Sequence, residues 1–403
     1  MLLYEIEKEP MIALDYMERQ VNNGSKSGFT DIHNTSFETN PFYSNGYQVM
    51  KLIPYEKNIV CFGYLNQDNN IIKDADGIFI HPDWFLPENK GEINKLGRVE
   101  ESLRVIPTSS ARTVRVAGYD IYMKLHYPGV LGRVNRKLGF KQLISGIEIT
   151  SIFGEARRND EFPDFFEYMP ESYGRLFSNE QIEFGYIIRE MPKLIKDYYL
   201  IPGFSLFSKD RNAIESPQLL VQILEKSSSP LDFFLKDICF RLIDIFFWCV
   251  LQEGIIPEMH SQNVMFAFDE KWDVQKIILR DFESIDKDIS IRQKLGKHID
   301  FKEYPYKCIS INNKDYLKRY SFMFDHKLGE YLLEPLVECT ASFLHMNSQE
   351  ICKIISNYVK EKYRTAISDL FPSNGYWYKY PDIEIDRSKE ERPFISMGAA
   401  VYR

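Results

Sequence analysis

One stretch constrains the fold of this chain more than any other: residues 254–284, which read GIIPEMHSQNVMFAFDEKWDVQKIILRDFES. A strongly apolar helical segment ends just before it. Two β-rich runs within it, 264–268 and 277–279, are joined by a polar turn and predict a hairpin. Because the two ends of a hairpin come back together, the loop before the first run and the residues after the second should lie close together.

Five polar residues occupy those two ends. His260, Gln262 and Asn263 share the loop, and Asp281 and Glu283 follow the second run. On an extended segment, two residues that are two apart point to the same side, so we expect the carboxylates to face one space. Carboxylate and amide oxygens beside a nucleotide are what Mg²⁺ needs, since phosphate oxygens and water complete its coordination. Taken singly, these residues are also typical of a turn and of a solvated strand end.

A second stretch, residues 104–138, concentrates positive charge. Two β runs, Thr113 to Ala117 and Tyr119 to Leu125, are joined through Gly118 and follow a hydroxyl-rich turn at 108–110. The basic residues are Arg104, Arg112, Arg115, Lys124, Arg133, Arg136 and Lys137. Arg, Lys and Ser/Thr side chains together are good phosphate binders. The alternative for such a cluster is a solvated basic face.

Composition excludes several other classes of protein. The 403 residues carry a net charge of −8, so we expect no general attraction to nucleic acid or anionic membrane. The six cysteines form no C-x-x-C pair, which indicates free thiols in a reducing compartment. No signal peptide is visible, and charged residues interrupt the most apolar run, 233–251, which therefore predicts a core helix rather than a membrane span.

The remaining pattern predicts an order of elements. An amphipathic helix at 12–21 precedes β-like runs at 49–55, 59–65 and 77–85, and a charged connection at 87–99 indicates a boundary. From residue 217 onward the chain is mostly helical, with helices predicted at 219–226, 231–253, 313–335, 336–346 and 348–369. The tail from Pro372 onward is left unassigned.

The two polar stretches together resemble motifs of the aerobactin-synthetase family, the siderophore synthetases that work without a nonribosomal peptide template. The family's Ser-x-Arg-Thr motif is matched by Ser110-Ala111-Arg112-Thr113. Lys124 and Arg136 stand where the family has a further Lys and Arg that bind ATP phosphates. The family's His-x-Gln-Asn loop and Asp-x-Glu pair are matched by His260, Gln262, Asn263, Asp281 and Glu283. The resemblance covers residues 100–290, about half of the chain.

The resemblance implies an α+β fold with a thumb, fingers and palm. Residues 1–95 would be a reduced thumb-like region, 96–215 β-rich fingers, and 216–403 a largely helical, kinase-like palm. It also implies ATP and Mg²⁺ as cofactors, small carboxylic acid and amine or alcohol substrates, a cytoplasmic location and a homodimer. Nucleic acid and membrane partners are not expected.

The resemblance also assigns roles to individual residues. Ser110, Arg112, Thr113, Lys124, Arg136, His260, Gln262 and Asn263 would bind ATP. Asn263, Asp281 and Glu283 would lie near Mg²⁺. Arg112, Lys124 and His260 would act in catalysis, by stabilising charge on the phosphates during adenylation of a carboxylate.

Two alternatives remain open. A helix, a His-x-x-Asn loop and a hairpin ending in Asp also describe kinase-like phosphotransferases, but those place a catalytic Asp where this chain has Ser261-Gln262. A shortened relative that only binds nucleotide or another ligand is the second alternative. The family's substrate-side His-Pro motif has its nearest match in His81-Pro82-Asp83-Trp84, for which a structural turn is the competing interpretation.

Overall fold

The computed structural model describes residues 1–25, 35–56, 58–65, 76–87, 89–131, 134–193, 197–381 and 393–403. Arg133 of the basic stretch lies outside these ranges. The fold is mixed α+β, as predicted. The largest sheet takes all its strands from residues 47–190, and residues 203–381 are mainly helical.

The elements are numbered in chain order. The described strands are β1 (Tyr47–Pro54), β2 (Ile59–Gly63), β3 (Ile78–Ile80), β4 (Gly97–Pro107), β5 (Thr113–Val116), β6 (Ile121–Leu125), β7 (Val130–Leu131), β8 (Val134–Asn135), β9 (Phe166–Tyr168), β10 (Glu171–Ser178), β11 (Glu183–Glu190), β12 (Tyr199–Pro202), β13 (Ile255–Ile256), β14 (Val264–Phe268), β15 (Val274–Leu279), β16 (Asp286–Asp288), β17 (Cys308–Ile309), β18 (Tyr376–Lys379) and β19 (Ile395–Ala399). The described α-helices are α1 (Leu3–Lys8), α2 (Pro10–Gln20), α3 (Lys90–Leu96), α4 (Phe140–Arg158), α5 (Gly203–Phe207), α6 (Leu219–Lys226), α7 (Pro230–Phe233), α8 (Arg241–Glu253), α9 (Ile289–Lys294), α10 (Tyr316–Ser321), α11 (Glu334–Leu344), α12 (Ser348–Lys362) and α13 (Arg364–Leu370).

The large sheet has eight antiparallel strands in the order β2-β10-β11-β6-β5-β4-β1-β3. Strands β5 and β6 form the hairpin predicted around Gly118, whose φ of 81° is a left-handed conformation that glycine adopts without strain. Apolar side chains such as Val114, Met123 and Ile188 are buried in the core of this sheet. The order makes β5, β6 and β11 neighbours near the middle of the sheet.

The hairpin predicted at 264–279 is present as β14 and β15, with Val264 opposite Leu279. It forms a second sheet in the order β12-β14-β15-β9. The preceding helix α8 ends at Glu253, where Gly254 takes a left-handed φ of 61° and caps it. Every residue of β14 is buried, as its continuous apolar sequence indicates.

Two long helical segments pack around the second sheet. One runs from Pro230 to Glu253 through α7, a π-helical stretch at Phe234–Phe240 and α8. The other joins α10, a π-helical stretch at Phe322–Leu333 and α11. The first confirms the predicted core helix at 231–253. Among the described residues, no helix has the length and apolar character needed to cross a membrane.

The segment predicted as a charged connection at 87–99 differs from that expectation. It contains helix α3 and the start of β4, an eleven-residue strand that pairs with β1. Strands β1 to β3 thus share one sheet with strands beyond residue 95, and β9 and β12 share one with strands beyond residue 215. Both predicted domain limits therefore fall between strands of a common sheet. The unassigned tail contributes the hairpin β18-β19.

Candidate active site

Three buried basic side chains converge from neighbouring strands, and we call them the basic wall: Arg112, Lys124 and Arg189. Arg112 precedes β5, Lys124 lies on β6 and Arg189 lies on β11, with exposed fractions of 3%, 0% and 3%. Since β5 pairs with β6 and β6 pairs with β11, the sheet itself sets their spacing. Arg189 was not identified from the sequence, because it is one charged residue near the end of an apolar strand.

The turn that carries Arg112 is held by its own hydroxyl groups. The Thr113 amide donates to Ser110 Oγ at 3.0 Å, and Thr108 Oγ1 donates to the Thr113 carbonyl at 2.7 Å. Ala111 has a φ of 61°, a left-handed conformation that is costly for alanine. Such strain is maintained only where the surroundings fix it, and such positions cluster at functional sites.

The loop and the residues after the second strand meet, as the hairpin predicted. The Arg280 amide donates to the Asn263 carbonyl at 2.9 Å, and Asn263 Nδ2 donates to the Glu258 carbonyl at 3.1 Å. The reasoning for the carboxylates was wrong in one respect. Asp281 is not extended but has a left-handed φ of 72°, because the chain turns sharply after β15. Asp281 and Glu283 nevertheless reach a common partner.

That partner is the basic wall. Lys124 Nζ donates to Asp281 Oδ1 and lies 3.0 Å from Glu283 Oε2. Arg112 Nη2 donates to Glu283 Oε1 at 2.7 Å, and Arg189 Nη2 lies 3.8 Å from Asp281 Oδ1. The predicted phosphate-binding cations and the predicted metal ligands therefore face each other across one site and neutralise each other.

The basic wall also sets the protonation of the two carboxyl groups. Burial by itself raises the pKa of Asp281, but the charges of Lys124, Arg189 and Arg112 outweigh it and hold the pKa well below its usual range. Burial likewise raises the pKa of Glu283, and Arg112 and Lys124 reverse the shift, so its pKa is lowered. Both groups are therefore ionised, the state in which carboxylates bind a divalent cation.

The residues fit a Mg²⁺ ion that shares its coordination with phosphate. Glu283 Oε2 is buried and, despite the nearby ammonium of Lys124, receives no well-directed hydrogen bond from the described residues. The described residues contain no cluster of three or more His, Cys, Asp or Glu side chains suited to a metal. Mg²⁺ does not require one, since it is usually held by one or two carboxylates, substrate phosphates and water.

His260 is held as a neutral imidazole. The backbone amide of Gln262 donates to His260 Nδ1 at 3.2 Å. Nδ1 is therefore an acceptor, and the proton of the neutral ring is on Nε2. Burial, opposed by the charge of Glu258, lowers the pKa of His260 to about 4. His260 is therefore neutral at working pH, where it can donate a hydrogen bond through Nε2.

His260→Gln is expected to reduce the acid sensitivity of the fold. Because the pKa of His260 falls from 6.5 to about 4 on folding, its contribution to stability is present above pH 6.5 and is lost as the pH falls towards 4. The loss amounts to about 3 kcal/mol in the wild type. Denaturant unfolding at pH 7 and pH 4 measures it. His298→Gln, at an exposed position, is the control. If His260→Gln lost as much unfolding free energy between pH 7 and pH 4 as the wild type, the lowered pKa of His260 would be contradicted.

The other predicted ATP-binding residues lie around the same centre. The Arg136 carbonyl accepts from Arg112 Nη1 at 3.0 Å. Burial and the charge of Arg112 lower the pKa of the Arg136 guanidinium, against the opposing charges of Glu283 and Asp281. The Gln262 side chain donates through Nε2 to Ser109 Oγ at 3.1 Å, so it links the two motif loops. The structure brings these residues together, and the binding of ATP or Mg²⁺ by any of the predicted site residues stays a prediction.

A cavity of about 910 Å³ is lined in part by residues adjoining this site, and the sequence did not indicate it. Lys307 and Arg319 are among its lining residues. Burial lowers the pKa of Lys307 against the opposing charges of Asp286, Glu258 and Glu283, and its ammonium lies 4.0 Å from Asp286 Oδ1. Lys307 also has a left-handed φ of 52°. Two further lysines line the cavity, together with Asp286, which pairs with Arg319, and Asp315, which pairs with Lys318. Four basic side chains against two acidic ones leave an excess of positive charge.

The candidate substrate motif at His81 to Trp84 has a structural explanation. The Asp83 carboxylate is buried and accepts hydrogen bonds from Tyr127 Oη at 2.8 Å, Ser36 Oγ at 2.8 Å and Thr39 Oγ1 at 2.9 Å. His81 Nδ1 accepts from the Asp83 amide at 3.2 Å. These contacts tie the 3₁₀ turn at Pro82–Phe85 to the loop after residue 35, so the structural-turn interpretation accounts for the motif.

Comparison with solved structures finds the same fold in three siderophore proteins. The petrobactin biosynthesis protein AsbB from Bacillus anthracis superposes with a TM-score of 0.76 at 14% identity, over 96% of this chain and 74% of that one. ATP-bound aerobactin synthetase IucA from Klebsiella pneumoniae gives 0.69 at 13% identity, over 93% and 76%. Aerobactin synthetase IucC from the same organism gives 0.60 at 16%, over 87% and 68%.

Sequence comparisons add one local match. A family described as "Ferric iron reductase FhuF-like transporter" matches residues 232–326, which include both palm motifs. No curated protein sequence matches the chain. The resemblance drawn from the motifs is confirmed at the level of structure: this chain has the fold of the aerobactin-type siderophore synthetases.

Proposed function

We propose that the protein is an ATP- and Mg²⁺-dependent ligase that adenylates a carboxylic acid and condenses it with an amine or alcohol, as in siderophore biosynthesis. The observation that carries the proposal is the convergence of the basic wall on Asp281 and Glu283. Cations that can hold phosphates thus face carboxylates that can hold the metal. The likeness to an ATP-bound synthetase supports the same assignment.

The roles of the residues follow from their charges. Arg112, Lys124 and Arg136 stabilise the negative charge that develops on the phosphates, which is electrostatic preorganisation by fixed groups. Asn263, Asp281 and Glu283 hold the metal, and a bound Mg²⁺ would neutralise phosphate charge as a Lewis acid. His260, neutral and carrying its proton on Nε2, donates a hydrogen bond near the α-phosphate.

The cavity beside the site is suited to the carboxylic acid. Its volume of about 910 Å³ accommodates a small polycarboxylate such as a citrate-like acid, and its lining carries more basic than acidic side chains. Lys307 is the basic residue proposed to contact the acid, because it lines the cavity and its ammonium lies 4.0 Å from Asp286, beyond hydrogen-bonding distance. The proposal includes a location in the cytoplasm, where ATP is available, and assembly as a homodimer.

A kinase-like phosphotransferase is the second candidate, and the loop geometry argues against it. Between the His and the Asn, where kinases carry their catalytic Asp, this chain has Ser261 and Gln262. Ser261 is fully buried, and the side-chain amide of Gln262 donates to Ser109. The nearby Glu258 is instead paired with Lys327 at 2.9 Å. A relative that only binds ligand is the third candidate, and the complete set of charged residues in the site gives no support to it.

Phosphorus NMR of the reaction products tests the proposal. The wild type is incubated with ATP, Mg²⁺, hydroxylamine as a general acceptor and a panel of di- and tricarboxylic acids. We expect AMP and pyrophosphate with a particular acid only, and their loss in Arg112→Ala. Formation of ADP and phosphate instead would contradict adenylation and indicate phosphoryl transfer. Binding of ATP without turnover of any acid would replace it with a binding function.

A further inference from the structure

Glu18 is a buried carboxylate on helix α2, at a position that belongs to none of the sequence motifs. It is 1% exposed. A carboxylate this deeply buried persists only where charged or hydrogen-bonding partners compensate its loss of water. Its partners therefore indicate what the helix does in the fold.

The partners of Glu18 are the two motif loops of the candidate active site. Ser109 donates to Glu18 Oε2 through its hydroxyl at 3.0 Å and its amide at 3.4 Å. Arg280 Nη1 donates to Glu18 Oε1. Ser109 directly precedes the Ser110 to Thr113 motif, and Arg280 directly precedes Asp281.

These bonds close into a ring. Ser109 Oγ accepts from Gln262 Nε2 at 3.1 Å, and the Gln262 carbonyl accepts from Arg280 Nε at 2.8 Å. With the bonds of Glu18 to Ser109 and Arg280, the four residues form one closed cycle, in which Gln262 takes part through both its side-chain amide and its backbone carbonyl. All four are buried, with exposed fractions of at most 9%.

The chemistry of the ring favours a carboxylate at this position. The groups directed at Glu18 are all donors: the Ser109 amide and hydroxyl and the Arg280 guanidinium. An ionised carboxylate only accepts, and it also balances the buried charge of Arg280. A glutamine of the same shape would direct its amide hydrogens at one of these donors and leave the guanidinium without a counter-charge.

We propose that Glu18 is a positioning residue that sets the distance between the phosphate-binding turn and the metal-binding loop. The inference rests on the proposed function, because its purpose is to hold Arg112 opposite Asp281 and Glu283. Glu18 bonds to Ser109 and Arg280 rather than to those carboxylates, and it acts through Ser109, Gln262 and Arg280. Helix α2 thereby acquires a role in nucleotide binding.

The test compares Glu18→Gln with Asp15→Asn. Asp15 is the matched control, because it lies on the same helix and pairs with Arg115 of β5 but contacts neither motif loop. Two measurements are made on each protein: amide hydrogen exchange of residues 109–113 and 260–263 without ligand, and the affinity for Mg²⁺-ATP by calorimetry. Thermal unfolding records the loss of stability in both variants.

We expect Glu18→Gln to speed exchange in both loops and to weaken Mg²⁺-ATP binding by about tenfold or more. Asp15→Asn should leave loop exchange unchanged and affinity within about twofold, even at an equal loss of stability. Equal effects in the two variants, or unchanged exchange in Glu18→Gln, would overturn the proposal. If Glu18→Gln does not fold, Ser109→Ala removes the same link without an unpaired charge and should give the same pattern.

Failure of the proposed function gives a different result. A wild type that binds no Mg²⁺-ATP contradicts the ligase, but the exchange measurement requires no ligand and still decides whether Glu18 holds the two loops. A wild type that binds Mg²⁺-ATP, with Glu18→Gln binding equally well, rejects the inference and leaves the ligase proposal standing.

Discussion

Lys124→Met is expected to lower ATP turnover by about 100-fold to 1,000-fold, the usual cost of removing one preorganised group that stabilises transition-state charge. The Lys124 ammonium is fully buried, bonds to Asp281 and lies 3.0 Å from Glu283. In the presence of nucleotide it is the central cation of the basic wall. Methionine keeps most of the length and apolar packing of the side chain and removes its charge and donors.

The same substitution should not weaken binding of Mg²⁺ alone. Lys124 neutralises the carboxylate pair in the ligand-free protein, so removing it leaves more negative charge for a cation. Steady-state kinetics and Mg²⁺ titration separate the two effects. Lys141→Met, at an exposed position on α4, is the control and should retain wild-type turnover. If Lys124→Met retained turnover within about threefold of wild type, the result would contradict a catalytic role for Lys124.

Asp281→Asn is expected to reduce turnover by about 100-fold or more and to shift the Mg²⁺ requirement to higher concentration. The pKa of Asp281 is held well below its usual range, so at working pH the substitution removes a full negative charge from the proposed metal site. Asparagine is the appropriate replacement because it tolerates the left-handed φ of 72° at this position, whereas alanine would add backbone strain.

Turnover measured over a Mg²⁺ series checks this expectation. Glu270→Gln is the control, because Glu270 is exposed at the opposite end of the same hairpin and its carboxylate has no role in the site. The variant pair thus compares two isosteric neutralisations within one hairpin. A wild-type Mg²⁺ dependence in Asp281→Asn would contradict the assignment of Asp281 as a metal ligand.

The local parts of the site could be predicted from the sequence. The hairpins containing Gly118 and residues 264–279 follow from strand periodicity and turn residues, which act over a few positions. They brought Lys124 close to β5, and Asn263 close to Asp281, as expected. The charged segment at 87–99 was predicted to be a connection, but it contains α3 and the start of β4. After Gly97, the residues of β4 up to Arg104 are half-buried or exposed, so no alternation of apolar and polar residues marks this strand.

The parts that were missed depend on contacts between distant segments. Arg189 enters the site only because β11 pairs with β6, and nothing within its own strand specifies that neighbour. The role of Glu18 depends on two loops that are far from it in sequence. Asp281 was predicted to be extended because spacing does not report a positive φ at a non-glycine residue.

The ring around Glu18 also constrains the order in which the chain can fold. Glu18 and its partner Arg280 are separated by 262 residues, so this contact has one of the longest closures in the molecule. Contacts between residues so far apart in sequence form slowly. During synthesis, α2 leaves the ribosome long before residue 280 is made, so the ring cannot close until then. The two motif loops therefore cannot reach their final spacing before the second strand of the hairpin, β15, has been synthesised.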